Sequence, residues 1–264
     1  LRKEKLNVKL KGFIDYKEKY LKKLFNEELG VYIGIPSKSR AFRVKQQEEL
    51  MGLKPTWFVP EDEVKQYEDE GAIVIPCKVG LSVQRNTILE ESFKNNQTCL
   101  MLDDDLIEFS FIYDDKTSNT ISFNEAVNIL KREINIFKLA GNSSGTNLFW
   151  YDPNRPKSIK SPVAGMILVK PSTPRYDEEL ILNEDTDFCL QHKVKYGGLI
   201  KVNYVINKFH GTDINYEKNT FKKTIEGGLK YKLEDLEKSF NYLQKKWGDL
   251  VKPSKSNKYD IGFR

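Results

Sequence analysis

The sequence predicts an α/β fold: a single domain with a mainly parallel central sheet flanked by helices, and a helical extension at its C-terminus. Two observations predict it. Short apolar runs alternate with helical segments between residues 31 and 102, which is typical of βαβ units and a parallel sheet. Hydrophobic residues also make up 39% of the 264 residues, enough for a substantial buried core.

The elements of the first half follow one another in a regular order. Apolar residues at helical spacing predict a helix over 6–29, with Gly30 as its stop. The chain then continues with predicted strands at 31–35, 56–59, 72–75 and 98–102 and predicted helices at 40–51, 61–70 and 84–95. Ligands of open parallel sheets bind beyond the carboxyl ends of the strands. We therefore expect the ligand edge at the loops 36–40, 76–86 and 103–106.

The second half is less regular. Ser122 and Glu125 have capping-box spacing, which predicts a helix that runs to about Lys138. Residues 141–145 are predicted to be a polar loop, and the chain from Val251 is expected to be loosely ordered. The other predicted elements are strands at 147–151, 163–169 and 199–206 and helices at 185–195 and 232–247.

Composition narrows the class of protein. The net charge of +5 permits a polyanionic partner such as nucleic acid but does not require one. Cys77, Cys99 and Cys189 lie in apolar contexts and lack metal-binding spacing, which predicts core thiols and a reducing, cytosolic setting. No apolar run approaches a membrane span, and no secretory signal is visible at the start.

The most informative stretch is an acidic run at the end of a predicted strand. Asp103, Asp104 and Asp105 directly follow Leu102, and burying unpaired carboxylates is costly. A bound divalent cation would compensate the cost of placing these carboxylates together, because Mg²⁺ and Mn²⁺ prefer oxygen ligands. In an extended chain Asp103 and Asp105 share a face, so both could approach one cation while Asp104 points elsewhere. The alternative is a solvated acidic turn.

Three further positions are candidates for chemistry. Glu184 and Asp185 precede a predicted helix, where ordinary capping explains part of their presence and a catalytic role facing a metal is the alternative. His210 follows a predicted strand and is a candidate metal ligand. His192, by contrast, is expected on a surface helix without a chemical role.

Two basic or polar segments accompany the acidic ones. The loop 36–40 and the pair Arg85 and Asn86 could each bind an anion, although ordinary helix caps have the same composition. Neither forms a Walker loop, and the absence of GxGxxG gives no support for nicotinamide chemistry.

Taken in order, these motifs resemble a GT-A glycosyltransferase. The resemblance spans roughly residues 31–230, and Asp103-x-Asp105 is similar to the DxD motif of that family. It implies a UDP-sugar donor and Mn²⁺ or Mg²⁺, with the ion held by Asp103, Asp105 and His210. It also implies Asp185 as general base, with Glu184 as second choice. The residues implied to surround the nucleotide are Pro36, Ser37, Arg40, Arg85, Asn86, Asp103, Asp104 and Lys222.

The same resemblance implies a division of the chain. Residues 1–30 would be an N-terminal helical segment, and 31–230 the glycosyltransferase domain. Within that domain, 31–106 would bind the nucleotide sugar and 107–230 the acceptor. Residues 231–264 would form a C-terminal helix and a basic tail.

More narrowly, the chain resembles the bacteriophage glycosyltransferases that modify hydroxymethylated bases in DNA. We therefore expect transfer of a sugar, with glucose as first choice, to such bases or to sugars already on them in double-stranded DNA, by a monomer in the host cytoplasm. Basic stretches interleaved with aromatic residues are compatible with a DNA-contacting surface. These stretches are 157–160, 218–223 and 245–258, with Tyr216, Phe221, Tyr231 and Trp247. The alternatives are a carbohydrate or cell-envelope acceptor, and a binding module without turnover.

Overall fold

A computed structural model of the chain describes residues 29–144, 148, 151–159, 161–210, 233–253 and 261–263. The predicted N-terminal helix, apart from its last residue Leu29, lies outside the described residues. So do Lys222 and the basic segment around it.

A ten-stranded sheet forms the centre of the protein. Its strands in chain order are β1 (Tyr32–Pro36), β2 (Thr56–Pro60), β3 (Ile73–Cys77), β4 (Cys99–Leu102), β5 (Leu106–Ile112), β6 (Ser118–Ile121), β7 (Leu139–Ser144), β8 (Lys157–Ser158), β9 (Met166–Val169) and β10 (Ile200–Phe209). Their spatial order is β3-β2-β1-β4-β9-β7-β10-β5-β6, and β8 pairs with β10 outside this path.

The flanking helices complete the architecture that the sequence predicts. They are α1 (Val44–Met51), α2 (Val64–Asp69), α3 (Leu81–Lys94), α4 (Phe123–Glu133), α5 (Glu184–Tyr196) and α6 (Leu233–Trp247). The protein is thus an α/β domain with a central sheet flanked by helices, as predicted; the sheet is parallel from β3 to β4 and between β7 and β10, and its other pairings are antiparallel. The segments Ala41–Arg43 and Glu61–Glu63 are short 3-10 turns that lead into α1 and α2.

The first half confirms the expected alternation of strands and helices. The strands β3, β2, β1 and β4 pair in parallel, with α3 packed on β1 and β4. Gly34 permits this packing, since a Cβ there would clash with the side chain of Ile88 on α3. The carboxyl ends of these strands therefore form one edge, and the loops expected at the ligand edge lie along it.

The second half departs from the sequence prediction at two places. The acidic run is followed by the antiparallel hairpin β5–β6, which was not predicted. Residues 141–144, predicted to be loop, belong to β7 instead, because β7 is an interior strand between β9 and β10. There Gly141 fits against Val163, and the side chains of Asn142 and Asn207 bond to each other. The interior position of β7 in the sheet thus outweighs the low strand propensity of these small polar residues.

The boundaries of two other predictions also change. The capping box of Ser122 and Glu125 is present, but α4 ends at Glu133, short of the predicted Lys138. The tail after Val251 contains the short strands β11 (Val251–Pro253) and β12 (Ile261–Phe263), paired antiparallel, where loose order was expected. Within the described residues, no helix combines the length and apolar character that crossing a membrane requires.

Candidate functional site

The acidic run lies at the carboxyl end of β4, where the chain turns into β5. Asp104 and Asp105 form this turn, and both are buried, so the run is not a solvated acidic turn. Because the chain is not extended here, side chains do not alternate between two faces. The predicted shared face is therefore wrong: Asp104 and Asp105 face Arg40, whereas Asp103 faces Arg85.

The first cluster centres on the buried ion pair of Arg40 and Asp104. Arg40 donates from Nη1 to Asp104 Oδ1, and the same Nη1 lies 3.7 Å from Asp105 Oδ2. Ser37 Oγ donates to the other oxygen of Asp104 and lies 2.7 Å from the hydroxyl of Tyr67, which accepts from the Arg40 amide. These bonds fix the loop 36–40 against the acidic turn.

The second cluster centres on Arg85, which lies on α3. Its Nη2 donates to Asp103 at 3.1 Å, and its Nη1 donates to Glu184 at 2.7 Å. The ring of Tyr176 covers the guanidinium at 5.2 Å and stacks on Phe188 of α5 at 4.2 Å. One buried arginine thus joins the two acidic segments that lie 81 positions apart in the sequence.

A small cleft opens beside this second cluster. Its lining includes Arg85, Asp103, Gly165 and Tyr176. The side chain of Asp103 is 34% exposed, whereas that of Glu184 is 11% exposed. Asp103 is therefore the carboxylate of the acidic run that a ligand in the cleft can reach.

Two residues of the cleft were missed by sequence reasoning. Gly165 accepts from the Asp103 amide at 2.8 Å and has a φ of +78°, and a Cβ there would clash with the ring of Phe209. Tyr176 is held at its backbone amide by Asn86, which accepts from it at 2.8 Å. Neither sits in a recognisable motif, although a glycine just before a strand is a weak signal of such a turn.

The carboxyl groups at the start of α5 bind protons more tightly than free ones. Burial raises the pKa of Glu184 to about 7, against the opposing charge of Arg85 and with the help of Asp185. Burial also raises the pKa of Asp185, whose Oδ1 accepts from the Thr186 amide at 2.7 Å. A carboxyl group with a pKa near neutrality, as Glu184 has, can accept or donate a proton under physiological conditions.

The predicted metal ligands are only partly assembled. The His210 amide donates to the Asp105 carbonyl at 2.9 Å, so these two residues are neighbours, but the His210 ring bonds to Gln46. In the described ranges, no three His, Cys, Asp or Glu side chains are grouped to hold a metal ion. The carboxylate of Asp103 has the oxygen chemistry and the exposure to bind Mg²⁺ or Mn²⁺. The full set of Asp103, Asp105 and His210 stays a prediction.

The remaining predicted nucleotide residues occupy the same edge. Pro36 ends β1, and Ser37 and Arg40 belong to the first cluster. The amide nitrogen of Asn86 donates to the Tyr176 carbonyl and to Glu178, so this side chain ties a neighbouring loop to α3. Lys222 lies outside the described residues.

Parts of the predicted DNA-contacting surface serve internal contacts instead. Lys157 pairs with Glu133 at 2.6 Å. Lys246 pairs with Asp177 and with the fully buried Asp187, and the Trp247 indole donates to Asp187 at 2.7 Å. These contacts anchor α6 to α5. Lys160, Lys218–Lys223, Tyr216, Phe221 and Tyr231 lie outside the described part of the chain.

His192 also differs from the prediction. It was expected on a surface helix, but it is fully buried on α5. Its Nδ1 lies 2.9 Å from the Phe188 carbonyl, and burial lowers its pKa to about 4. It therefore acts as a neutral core residue at physiological pH.

Comparisons with known proteins add little to this geometry. No family model and no curated protein matches the chain. Among solved structures, the chain is similar to 4-diphosphocytidyl-2C-methyl-D-erythritol synthase from Anaerococcus prevotii, with 11% identity and a TM-score of 0.35. The match covers 81% of this chain and 99% of that chain. At this TM-score we take nothing about activity from the match.

Proposed function

We propose that the protein is a metal-dependent glycosyltransferase that moves a sugar, glucose as first choice, from a UDP-sugar to hydroxymethylated bases, or to sugars already on them, in DNA. The observation that carries the proposal is the bridge formed by Arg85. It holds Asp103 of the DxD-like run, which lines a cleft at the carboxyl edge of the sheet, and Glu184 of the second acidic motif on the same guanidinium.

The carboxyl pair at the start of α5 supports the acid–base part of the reaction. We assign Asp185 as the base that takes the proton from the acceptor hydroxyl. Glu184 is held by Arg85, whereas none of the described cationic side chains forms an ion pair with Asp185. The raised pKa makes each group a better proton acceptor than a free carboxylate, which suits general-base catalysis.

Arg85 has a positioning role in this proposal. Its two carboxylate contacts and the Tyr176 ring fix its orientation, so it sets the distance between Asp103 and the start of α5. A bound Mn²⁺ or Mg²⁺, held by Asp103, Asp105 and His210, would neutralise the charge that develops on the leaving diphosphate.

The direct test is a donor and acceptor screen. The protein is incubated with UDP-sugars, Mn²⁺ or Mg²⁺ and duplex DNA that contains hydroxymethylcytosine, and the digested nucleosides are examined by mass spectrometry. We expect one added hexose per modified base and loss of the product in Asp103→Asn. Asp115→Asn, a matched change in the exposed β5–β6 turn, should keep full activity. Transfer that is independent of metal and of Asp103 would contradict the site assignment.

A carbohydrate acceptor is the second candidate, and one observation favours it. Lys157, Lys246 and Trp247, which belong to the predicted DNA surface, are engaged in contacts within the protein. Sugar transfer to a saccharide, without salt-sensitive binding to modified DNA, would select this candidate. Donor binding with neither transfer nor hydrolysis would instead select a binding module.

A further inference from the structure

Arg43 is a buried arginine that forms no ion pair with any of the residues that the structure describes. It ends the 3-10 turn before α1 and is only 7% exposed. Its Nε is buried without a hydrogen-bond partner, and its guanidinium lies 5.3 Å from the centre of the Phe42 ring. Arg40 and Arg85 differ from it, since each is paired with buried or half-buried carboxylates.

An unpaired buried charge is costly, so a fold that keeps one needs a compensating interaction. Phe42 supplies only a weak one, because the cation–π attraction of an exposed ring is small and this ring is 59% exposed. Guanidinium groups match phosphate oxygens particularly well, because their planar donors can form two parallel bonds.

The surroundings of Arg43 offer further donors. Gln46 lies three positions later at the start of α1, on the same face of the helix. Its Nε2 lies 2.9 Å from His210 Nε2. His210 in turn donates its amide to the carbonyl of Asp105, so the group adjoins the acidic turn at the ligand edge of the sheet. A ligand here would meet one full positive charge and two neutral polar side chains.

We propose that Arg43, flanked by Gln46 and His210, binds a phosphate group of a nucleotide or nucleic acid. The exposed ring of Phe42 lies beside this position and can receive the attached base. Phosphate binding here does not require sugar transfer, but if the phosphate is that of the nucleotide donor, the site deepens the proposed function and rests on it. A phosphate group near a base is present both in a nucleoside diphosphate and in DNA.

Binding and stability measurements on the full chain test the proposal together. The probe is inorganic pyrophosphate, measured by calorimetric titration and by thermal unfolding at constant ionic strength. We expect Arg43→Met to weaken pyrophosphate binding about tenfold or more, because a charge-assisted bond is lost. Without pyrophosphate, its unfolding midpoint should equal or exceed that of the wild type, since a buried unpaired charge is removed.

The control is Arg155→Met, which removes the same charge from a side chain that is 84% exposed. It should leave pyrophosphate affinity unchanged. Competition identifies the source: displacement of pyrophosphate by UDP indicates a nucleoside diphosphate, and displacement by a short duplex indicates a DNA backbone. Undiminished affinity in Arg43→Met, a much lower unfolding midpoint for that variant, or competition by neither ligand would overturn the proposal. None of these readouts depends on sugar transfer.

Discussion

Consecutive aspartates of one acidic run enter two different arginine clusters. Asp104 joins Arg40 in a cluster in which Arg40 and Ser37 bond to Asp104 and Tyr67 bonds to both Ser37 and Arg40, so that the four residues form a closed ring of hydrogen bonds. Asp103 joins Arg85 in a cluster that lines a cleft and includes a second carboxylate, Glu184. The first cluster buries its carboxylate, whereas the second leaves Asp103 one-third exposed.

This difference indicates that Asp104 stabilises the fold, whereas its neighbour Asp103 is available to bind a ligand. The closed cluster gains little from a ligand, because the Asp104 carboxylate and the Ser37 and Tyr67 hydroxyls already have partners, although Arg40 Nε has none. Both clusters place two carboxylates on one guanidinium, but only the open cluster has one of them, Asp103, next to solvent. Such a site favours binding of protons or cations. The pKa of Glu184 is raised mainly by burial and also by the neighbouring negative charges of Asp185 and Asp103. If the two clusters have these separate roles, substitutions in the first should affect stability and substitutions in the second should affect activity.

The largest effect is expected for stability in the closed cluster. Asp104→Ala removes the main partner of the buried Arg40 and leaves it only the longer ion pair with Asp105, at 3.7 Å. We expect the free energy of unfolding to fall by up to about 3–5 kcal/mol, the usual cost of breaking a buried ion pair by removing one partner. Denaturant unfolding followed by circular dichroism measures it. The double variant Arg40→Met/Asp104→Leu should recover most of the loss, and no recovery would mean that the pair does not act as a unit.

The open cluster should respond in the opposite way. Asp103→Asn keeps the shape of the side chain and removes a half-screened ion pair, so the free energy of unfolding should change by about 1 kcal/mol or less. Under the proposed function, sugar transfer should fall by about 10²–10³-fold, as for other groups that stabilise developing charge. A stability loss as large as that of Asp104→Ala would remove the distinction between the clusters.

The pH dependence of stability distinguishes Glu184 from the neutral core residue His192. Between its usual value of 4.5 and its folded pKa of about 7, Glu184 binds more protons in the native state, so its contribution lowers stability as pH rises. His192, with a folded pKa of about 4 and a usual value of 6.5, binds more protons when unfolded, so its contribution raises stability with pH. These contributions oppose each other from pH 4.5 to 6.5.

Glu184→Gln removes one of the two opposing contributions. Relative to the wild type, its free energy of unfolding should increase more steeply with pH between 4.5 and 7, by up to about 1.4 kcal/mol per pH unit. Denaturant unfolding at several pH values measures the slope. An unchanged slope would mean that Glu184 titrates normally and that the carboxyl pair is not poised for proton transfer.

The first half of the fold was predictable because its signals are local. Apolar runs and helix stops give the strands and helices from β1 to β4, and parallel pairing then puts their ends on one edge. The strand β7 could not be predicted, because Gly141, Asn142 and Ser143 suit a loop by propensity. They form a strand because Val163 and Asn207 meet them across long separations in sequence.

The site was predictable only to the level of segments. Acidic residues at strand ends and helix starts point to Asp103 and Glu184, but their partner Arg85 depends on how α3 and α5 approach each other. The turn at Asp104 abolishes the expected alternation of side chains between two faces, because this alternation holds only while the chain is extended. Tyr176 was missed because its role arises from packing on Phe188 and Arg85 rather than from any motif.

The smallest predicted effect compares two buried tyrosines, one from each cluster. The Tyr67 hydroxyl bonds with Ser37 and accepts from the Arg40 amide, whereas among the described residues the Tyr176 hydroxyl donates only to the sulfur of Met101, at 3.9 Å. Tyr67→Phe should therefore lower the free energy of unfolding by about 1–2 kcal/mol, and Tyr176→Phe by about 0.5 kcal/mol or less. Because the Tyr176 ring covers Arg85 by its face, its removal in Tyr176→Leu should impair sugar transfer where Tyr176→Phe does not. Equal stability losses in the two phenylalanine variants would mean that the hydroxyl network does not distinguish the clusters.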